Sequence, residues 1–213
     1  GCLLMKKGID VTPRLKEGVK LYTYTGAEEA DFYAENIHIG NGEIHFDFVG
    51  PDIRIANIQL GVPVKVNIEN GVAAIALAWL NGVTPEEIRK GMASFAGPKR
   101  RFDFHLKKDA IVLIDDYAHH PAELAASIQS VKELYAGRKV TGIFQPHLYT
   151  RTRDFAPDFA ASLSLLDELI LLDIYPAREE PIPGVTSEII FDAVTIPAKK
   201  LIRKSELLDL VEK

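Results

Sequence analysis

The sequence contains a single cysteine, Cys2, among its 213 residues. One cysteine excludes an intramolecular disulfide and a cysteine-based zinc site, which fits a protein of a reducing cytoplasm. Positive charge is not in excess either, because 25 Lys and Arg residues stand against 30 Asp and Glu residues and the formal net charge is −5. The chain therefore has no general basic field that would attract nucleic acid or an anionic membrane, and we expect neither as a partner.

Long apolar runs and a signal pattern are also absent. No stretch approaches the roughly 20 apolar residues that a membrane-spanning helix needs, and the N-terminus has no charged segment followed by an apolar one. With a hydrophobic fraction of 47% and a mean hydropathy of +0.02, we expect a globular, cytoplasmic protein. The opening GCLLMKKGIDV lacks an initiator Met, which predicts that the chain is a piece of a longer protein.

The first sixty residues have the composition of β-strands. Four segments are rich in β-branched and aromatic residues and are broken by glycine-containing turns: 19–25, 34–40, 43–49 and 52–60. The sequence Gly40-Asn41-Gly42 predicts a hairpin between the middle two segments. His38 and His45 fall in these strands, and we interpret them as cross-strand surface residues rather than ligands.

Helical periodicity follows. Apolar residues recur at helical spacing from Val72 to Leu80, with Trp79 predicted to lie in the core, and Asn81-Gly82 predicts the end of this helix. The next segment begins with Thr84 as N-cap, Pro85 at the first helical position and Glu87 three residues after the cap. That arrangement predicts a capping box.

The segment 96–109 (AGPKRRFDFHLKKD) combines Gly, Pro and basic residues, and we interpret it as the junction between two domains. After it, strand-like and helix-like segments alternate. ELILLDI is apolar almost throughout, which indicates a strand buried on both faces of a parallel sheet. The second half is therefore predicted to be a Rossmann-like α/β domain with a mostly parallel sheet.

Polar clusters follow two strand-like segments of this half. Strand 110–115 ends in Asp115-Asp116 and leads through DYAHH to a helix that starts at Pro121, and KVTGIF leads into QPHLYTRTR at 145–153. Ligands of open parallel sheets bind beyond the carboxyl ends of the strands. If the two strands are parallel, both clusters lie on one edge of the sheet.

Each cluster also has a simpler interpretation. For Asp115, a helix cap or a contact with a turn amide is as consistent with the sequence as contact with a ligand. Asp116, His119 and His120 have the ligand types of a zinc or iron site, although adjacent histidines rarely face one ion. His147, Arg151 and Arg153 are alternatively a solvated surface, but loops at strand ends more often carry function.

Two further pairs are consistent with a nucleotide. Asn67 and Asn70 are three residues apart near the start of their helix, and their amides both donate and accept, as an adenine edge requires. A structural capping role is equally consistent with them. Arg100-Arg101 offers a bidentate clamp for phosphate, with an interdomain salt bridge as the alternative.

The ordered motifs VNIENGVAAIALA, FAGPKRRFDF, DDYAHHPAE, FQPHLYTRTRDF and PIPGVTSE resemble the Mur ligases over essentially the whole chain. The resemblance implies three domains, of which this chain covers the C-terminal part of the central ATP-binding domain (1–97), an interdomain junction (98–109) and a truncated C-terminal ligase domain (110–213). The family's phosphate-binding loop ending in Gly-Lys-Thr or Gly-Lys-Ser does not occur in the sequence.

The resemblance also implies roles for individual residues. ATP is expected at four residues: Asn67, Asn70, Arg101 and Asp116. Catalytic roles are expected for His119, His147 and Arg151, and substrate binding for Tyr117, His120 and Tyr149. Two positions depart from the family pattern. Val66 replaces the histidine before the first asparagine, and Leu148 replaces the arginine that many relatives have after the histidine of FQPH.

The chemistry implied is ATP-driven amide formation in peptidoglycan biosynthesis, with ATP and Mg²⁺ as cofactors. The lactyl carboxylate of UDP-N-acetylmuramate becomes an acyl phosphate, which the amine of L-alanine attacks. Alternatives are a recycling ligase that attaches a tripeptide to the same sugar nucleotide, a metal-dependent hydrolase and a non-catalytic binding module. Because the phosphate-binding loop is missing, we expect this chain alone to be inactive.

Overall fold

The computed structural model describes residues 1–211 and divides the chain into two compact units, Gly1–Asp115 and Asp116–Lys213. Each unit has its own hydrophobic core. The division into residues 1–97, 98–109 and 110–213 that the family resemblance implies stays a prediction.

The first unit contains three β-sheets, and all of its residues are described. Its strands are β1 (Cys2–Lys6), β2 (Lys20–Tyr24), β3 (Tyr33–Gly40), β4 (Glu43–Gly50), β5 (Ile53–Gln59), β6 (Asp103–Lys107) and β7 (Val112–Asp115). Strands β1 and β2 pair in parallel, whereas β3, β4 and β5 form an antiparallel sheet and β6 and β7 an antiparallel pair. The sequence analysis did not predict β1.

The hairpin predicted at Gly40-Asn41-Gly42 is confirmed. Asn41 has φ 52° and Gly42 has φ 76°, and two positive φ values are what the favoured two-residue hairpin turn requires. His38 stands directly opposite His45 in the register of β3 and β4. The predicted cross-strand position of these two residues is confirmed, with His38 exposed and His45 half-buried.

Two helices pack on the β3–β5 sheet, α1 (Val66–Leu80) and α2 (Pro85–Ser94). Helix α1 ends before Asn81, and Gly82 follows in the left-handed conformation (φ 82°). Helix α2 has the predicted capping box between Thr84 and Glu87. The apolar faces of both helices close a core centred on phenylalanines and isoleucines of the sheet, and Trp79 packs half-buried against it.

The second unit alternates helices and strands. In chain order they are α3 (Pro121–Leu134), β8 (Thr141–Phe144), α4 (Tyr149–Leu163), β9 (Glu168–Leu172), α5 (Glu188–Phe191), β10 (Lys199–Ile202), a 3₁₀ turn (Lys204–Glu206) and α6 (Leu207–Val211). The end of the predicted helical segment SELLDLVEK, residues 212–213, lies outside the described residues.

Strands of the second unit form a parallel sheet in the order β10-β9-β8. Central β9 is buried along most of its length, as its apolar sequence predicted. Helix α4 contributes Phe159 and Leu163 to the core beside Leu169 and Leu171 of β9. The predicted α/β class with a mostly parallel sheet in the second half is confirmed.

The strand at 110–115 does not pair as expected. A common edge for the two polar clusters required it to run parallel to the KVTGIF strand, but β7 pairs antiparallel with β6, with Asp103 opposite Asp115, and β8 pairs with β9. A hydrogen bond from the backbone N–H of Lys108 to the carbonyl of Ile111 closes the connection between these strands. The physical reason is local, because a short connection brings antiparallel strands together without a crossover.

Within residues 1–211, no helix has both the length and the apolar content that crossing a membrane would require.

Candidate active site

The first part of the candidate site is the turn 116–120, which leads into α3. Pro121 occupies the first turn of the helix and His120 is its N-cap residue. The carboxylate of Glu123 accepts hydrogen bonds from the backbone N–H groups of His119 (3.1 Å) and His120 (3.3 Å). These bonds, the His119 amide first, hold the pKa of Glu123 below its ordinary value. The start of α3 therefore fixes the backbone of both histidines.

The two histidine rings of this turn differ in their hydrogen-bonding state. Nδ1 of His119 lies 3.0 Å from the carbonyl oxygen of Tyr117, which only accepts, so this nitrogen carries a proton. Nδ1 of His120 instead accepts the backbone N–H of Ala122 at 3.4 Å. In their neutral forms, His119 therefore presents an acceptor at Nε2 and His120 a donor.

Aromatic contacts hold the rings in place. The His119 ring lies 5.2 Å from that of Tyr117, and the His120 ring meets Phe155 of α4 edge-on at 5.0 Å. Tyr117 remains 48% exposed.

The second part of the site is the segment 145–151, between β8 and α4. His147 forms an isolated bridge with Tyr175, and their rings stack with centroids 5.4 Å apart. Tyr149 and Arg151 lie in the first turn of α4, and both are half-buried. The N-cap residue of that helix is Leu148, at φ 75°, and its side chain makes no capping hydrogen bond.

The second unit brings the two parts together. Burial lowers the pKa of His147 from its ordinary value of 6.5, and the charge of Arg151 and the charge that His119 carries when protonated lower it further. The hydroxyl of Ser162 on α4 donates to the carbonyl of Pro121 at 2.9 Å, and this bond joins the start of α3 to the body of α4. His119 and Arg151, two of the three residues predicted to be catalytic, thus both lie within electrostatic reach of the third, His147.

Asp115 and Asp116 have different surroundings. Asp116 is exposed, and its Oδ1 accepts the backbone N–H of Tyr117 at 2.9 Å. Asp115 neither caps a helix nor holds a turn amide in the contacts described. Its carboxylate lies 3.6 Å from Arg100 and 3.8 Å from His105, so it belongs to an ion-pair cluster of the first unit.

The predicted nucleotide residues of the first unit lie at two places. Asn67 donates to the carbonyl of Val62 at 3.1 Å and accepts from Asn70 at 3.2 Å. The shared face is confirmed, whereas the capping role is not, because the N-cap residue of α1 is Lys65 and no side-chain capping bond is present there. Asn70 is exposed, and its side-chain amide can form hydrogen bonds beyond the one that it donates to Asn67. Arg101 is exposed beside Phe102, which is buried at φ 50°.

Comparison with known proteins identifies the family. A family model described as the Mur ligase, glutamate ligase domain, matches residues 100–212, more than half of the chain. The chain belongs to the Mur ligase family. Its fold agrees, because the crystal structure of UDP-N-acetylmuramate-alanine ligase MurC from Thermotoga maritima superposes with a TM-score of 0.70 at 26% identity, over 89% of this chain and 41% of that one.

Two relatives in this family are similar over almost the whole chain. A UDP-N-acetylmuramate--L-alanine ligase of Parabacteroides distasonis is 80% identical over 99% of the chain. A protein of the same description from Phocaeicola vulgatus is 61% identical over 100% of the chain. Each match covers 46% of the relative, so the chain spans about half the length of these Mur ligases.

No group of three His, Cys, Asp or Glu side chains within residues 1–211 of this Mur ligase chain is arranged to hold a metal ion. The proposed set Asp116, His119 and His120 therefore does not form a metal centre in this structure.

Sequence reasoning missed two residues that contact the second part of the candidate site, Tyr175 and Glu179. Both lie on the segment after β9, and both contact the 145–151 segment from 28 or 29 positions away. A single sequence carries no signal for such a distant contact. The ring of Tyr175 stacks on His147, and the carboxylate of Glu179 bonds Thr150, the neighbour of Arg151.

Proposed function

We propose that the whole protein carrying this chain is an ATP-dependent ligase that joins L-alanine to the lactyl carboxylate of UDP-N-acetylmuramate. One observation carries the proposal: in a Mur ligase domain, the charges of both His119 and Arg151 act on His147. The 80% identity to a UDP-N-acetylmuramate--L-alanine ligase supports the choice of substrates.

The proposed reaction has two steps. A carboxylate oxygen of the sugar nucleotide attacks the γ-phosphorus of ATP, the bond from that phosphorus to the bridging oxygen breaks, and ADP leaves. The product is an acyl phosphate. The neutral amine of L-alanine then attacks the acyl carbon, phosphate leaves from the tetrahedral intermediate, and one proton is released from the nitrogen.

Arg151 is the proposed anchor for the substrate carboxylate. A guanidinium binds a carboxylate through two parallel hydrogen bonds, which fixes both its position and its orientation. Arg151 lies half-buried in the first turn of α4, beside His147. It therefore offers a positive charge that is partly shielded from water at the centre of the candidate site.

His147 and His119 are the proposed hydrogen-bonding and proton-accepting groups. The lowered pKa of His147 favours its neutral ring, and a neutral imidazole is able to accept the proton that the amine loses. His119 offers an acceptor at Nε2 because its Nδ1 donates to Tyr117. Tyr117, His120 and Tyr149 are proposed to contact the substrate around these groups.

The nucleotide is proposed to bind at Asn67, Asn70, Arg101 and Asp116. Asn70 is the better candidate for the adenine edge, because Asn67 already uses its amide for Val62. Arg101 is exposed and suits phosphate. Asp116 is proposed to bind the ribose or the phosphate side of ATP.

Mg²⁺ is proposed as the ion that accompanies ATP. It commonly binds through substrate phosphates together with one or two carboxylates. The described residues hold no ready cluster for it, so the proposal gives the ion no ligand set in this chain. When bound with ATP, it would reduce the repulsion between the anionic groups that the reaction brings together.

The proposed setting is peptidoglycan biosynthesis in the cytoplasm, and through it cell-wall growth, cell shape and division. This chain alone is proposed to lack ligase turnover, because the sequence has no Gly-Lys-Thr or Gly-Lys-Ser loop to hold the phosphates. ATP-dependent ligation by the 213-residue chain alone would contradict that part of the proposal.

The deciding experiment measures ADP release by the whole protein with ATP, Mg²⁺ and UDP-N-acetylmuramate. L-alanine and the cell-wall tripeptide are supplied separately as the amine. We expect turnover that depends on L-alanine and yields UDP-N-acetylmuramoyl-alanine by mass. Preference for the tripeptide would assign the protein to recycling instead, and no turnover with either amine would refute the proposal.

A further inference from the structure

We propose that Glu179 is the positioning residue of the site, which fixes the His147–Arg151 segment by capping the N-terminus of α4 from outside that helix. Its consequence for catalysis rests on the function proposed above. The structural part stands on contacts within the second unit and is tested separately.

Helix α4 lacks a cap of its own. The first N–H groups of a helix have no partner within the helix and are usually satisfied by the N-cap side chain. Here the N-cap residue is Leu148, whose side chain makes no such bond. A leucine has no atom that could accept one, so the first turn depends on an acceptor from elsewhere.

Glu179 supplies that acceptor from 29 residues further along the chain. Its carboxylate accepts the backbone N–H of Thr150 at 2.9 Å and the hydroxyl of the same residue. These bonds lower the pKa of Glu179, with smaller contributions from the Tyr149 amide and Arg151. A negative charge is also favoured at a helix N-terminus by the helix dipole.

The segment that carries Glu179 also bonds the backbone of the residues just before α4. The backbone N–H of Leu148 donates to the carbonyl of Tyr175 at 3.0 Å, and the N–H of Tyr175 donates to Pro146 at 2.8 Å. Leu148 has φ 75° and ψ 136°, a conformation that is unfavourable for a residue with a side chain and persists only where its surroundings hold it. Tyr175 thus holds the backbone on one side of Leu148, and Glu179 holds it on the other.

The contacts made by Tyr175 and Glu179 matter because they lie next to the proposed catalytic residues His147 and Arg151. Thr150, the residue bonded by Glu179, is the immediate neighbour of Arg151, and His147 stacks on Tyr175 at 5.4 Å. The charge of Glu179 also raises the pKa of His147 against the lowering by Arg151 and His119. Loss of Glu179 is therefore expected to loosen the geometry of Arg151 and to change the charge balance at His147.

The first test uses the 213-residue chain and needs no enzyme activity. NMR measures hydrogen exchange of the Thr150 amide and the pKa of His147 in wild type, Glu179→Ala, Glu179→Gln and the control Glu180→Gln. Glu180 is the exposed neighbour of Glu179. We expect roughly tenfold faster exchange at Thr150 in Glu179→Ala, as for the loss of a hydrogen bond to a charged group.

The His147 measurement separates charge from shape. Glu179→Gln keeps an acceptor for Thr150 but removes the negative charge that raises the pKa of His147, so that pKa is expected to fall. Glu180→Gln is expected to change neither the hydrogen exchange of the Thr150 amide nor the pKa of His147. Unchanged exchange at Thr150 and an unchanged His147 pKa in both Glu179 variants would overturn the structural part of the inference.

The second test measures steady-state kinetics of the whole protein. With Glu179→Ala, we expect kcat/KM for the sugar nucleotide to fall about 10- to 100-fold, since a misplacement of about 1 Å is enough for such a loss. The KM for ATP should change less than twofold. Glu179→Gln should recover most of the activity, and Glu180→Ala should behave as wild type.

The outcomes separate this inference from the proposed function. If the wild type ligates L-alanine but Glu179→Ala behaves like Glu180→Ala, the positioning role is wrong and the function stands. If the wild type has no ligase activity while the NMR changes occur, the proposed function fails and the structural role of Glu179 stands. An equal loss towards both substrates would indicate general unfolding and would also overturn the positioning role.

Discussion

The carboxylate of Asp47 accepts the backbone N–H of Asn57 at 2.8 Å, across two neighbouring strands of the β3–β5 sheet. Asn57 has φ 55°, and the pairing register of β4 and β5 shifts beside Asp47. The second oxygen of Asp47 accepts from Asn36 and from Arg54, each at 2.9 Å. Asn36 has φ 50° where the register of β3 and β4 also shifts. One carboxylate therefore holds irregularities on both sides of β4.

Asp47→Asn is expected to destabilise the first unit by about 2 kcal/mol at pH 7, because hydrogen bonds to a charged acceptor are stronger than those to a neutral one. Unfolding by urea is followed through fluorescence of Trp79, the single tryptophan, which belongs to the first unit. The control is Asp52→Asn, at an exposed aspartate in the turn before β5, and it should leave the midpoint nearly unchanged.

The pH dependence of this effect has a definite sign. The pKa of Asp47 is lowered from 3.8, chiefly by its hydrogen bonds to Asn36 and Asn57. A carboxyl whose folded pKa is depressed stabilises the protein above its unfolded pKa, and the stabilisation is lost as pH falls through the folded value. The difference between wild type and Asp47→Asn should therefore be full above about pH 5 and shrink below pH 4. A difference that grows in acid would contradict this assignment.

Features specified by neighbouring residues were predicted from the sequence. The Gly40-Asn41-Gly42 hairpin and the Thr84–Glu87 capping box depend on residues two or three positions apart, and both are present. The partner of the 110–115 strand was not predicted, because DFHLK lies in a basic, glycine-containing segment that reads as a linker. In the structure it is β6, which pairs with that strand.

The candidate site likewise contains residues that the sequence predicted and residues that it did not. The polar residues of the two turns were visible in the sequence, and the charges of His119 and Arg151 act on His147 in the structure. Glu179 and Tyr175 were not predictable, because their contacts with Thr150 and His147 cross 28 or 29 residues. Nor does a sequence show that the adjacent His119 and His120 carry their protons on different ring nitrogens.

Arg151→Ala is expected to weaken use of the sugar nucleotide by the whole protein. Loss of a charged hydrogen-bonding partner should raise the KM for UDP-N-acetylmuramate roughly 10- to 100-fold, with little change in the KM for ATP. The matched control is Arg153→Ala two residues later, since Arg153 is exposed and pairs with its neighbour Asp154 at 2.8 Å. Equal effects of the two substitutions, or a larger effect on ATP, would contradict the role of Arg151.

Asp116→Asn is expected to give the opposite pattern. We predict a roughly tenfold rise in the KM for ATP, in the range of one charged hydrogen bond, with the KM for the sugar nucleotide changed less than twofold. Asp109→Asn serves as the control, because Asp109 is an exposed aspartate. Both constants are measured by ADP release with the other substrate saturating. A selective loss of sugar-nucleotide binding would assign Asp116 to the other substrate.

Two glycines of the first unit are expected to respond to alanine with opposite signs. A Cβ atom at Gly61 would lie 2.1 Å from the carbonyl oxygen of Phe95, a backbone atom that cannot rotate away, whereas one at Gly91 would meet nothing within 4 Å. Gly61→Ala should therefore destabilise the unit by more than about 2 kcal/mol, in the upper range of overpacking. Gly91→Ala, inside α2, should raise the free energy of unfolding by about 0.5–1 kcal/mol, because alanine loses less backbone entropy than glycine in a helix. Urea unfolding followed at Trp79 measures both, and a destabilising Gly91→Ala or a neutral Gly61→Ala would show that the packing between β5 and α2 differs from the one described.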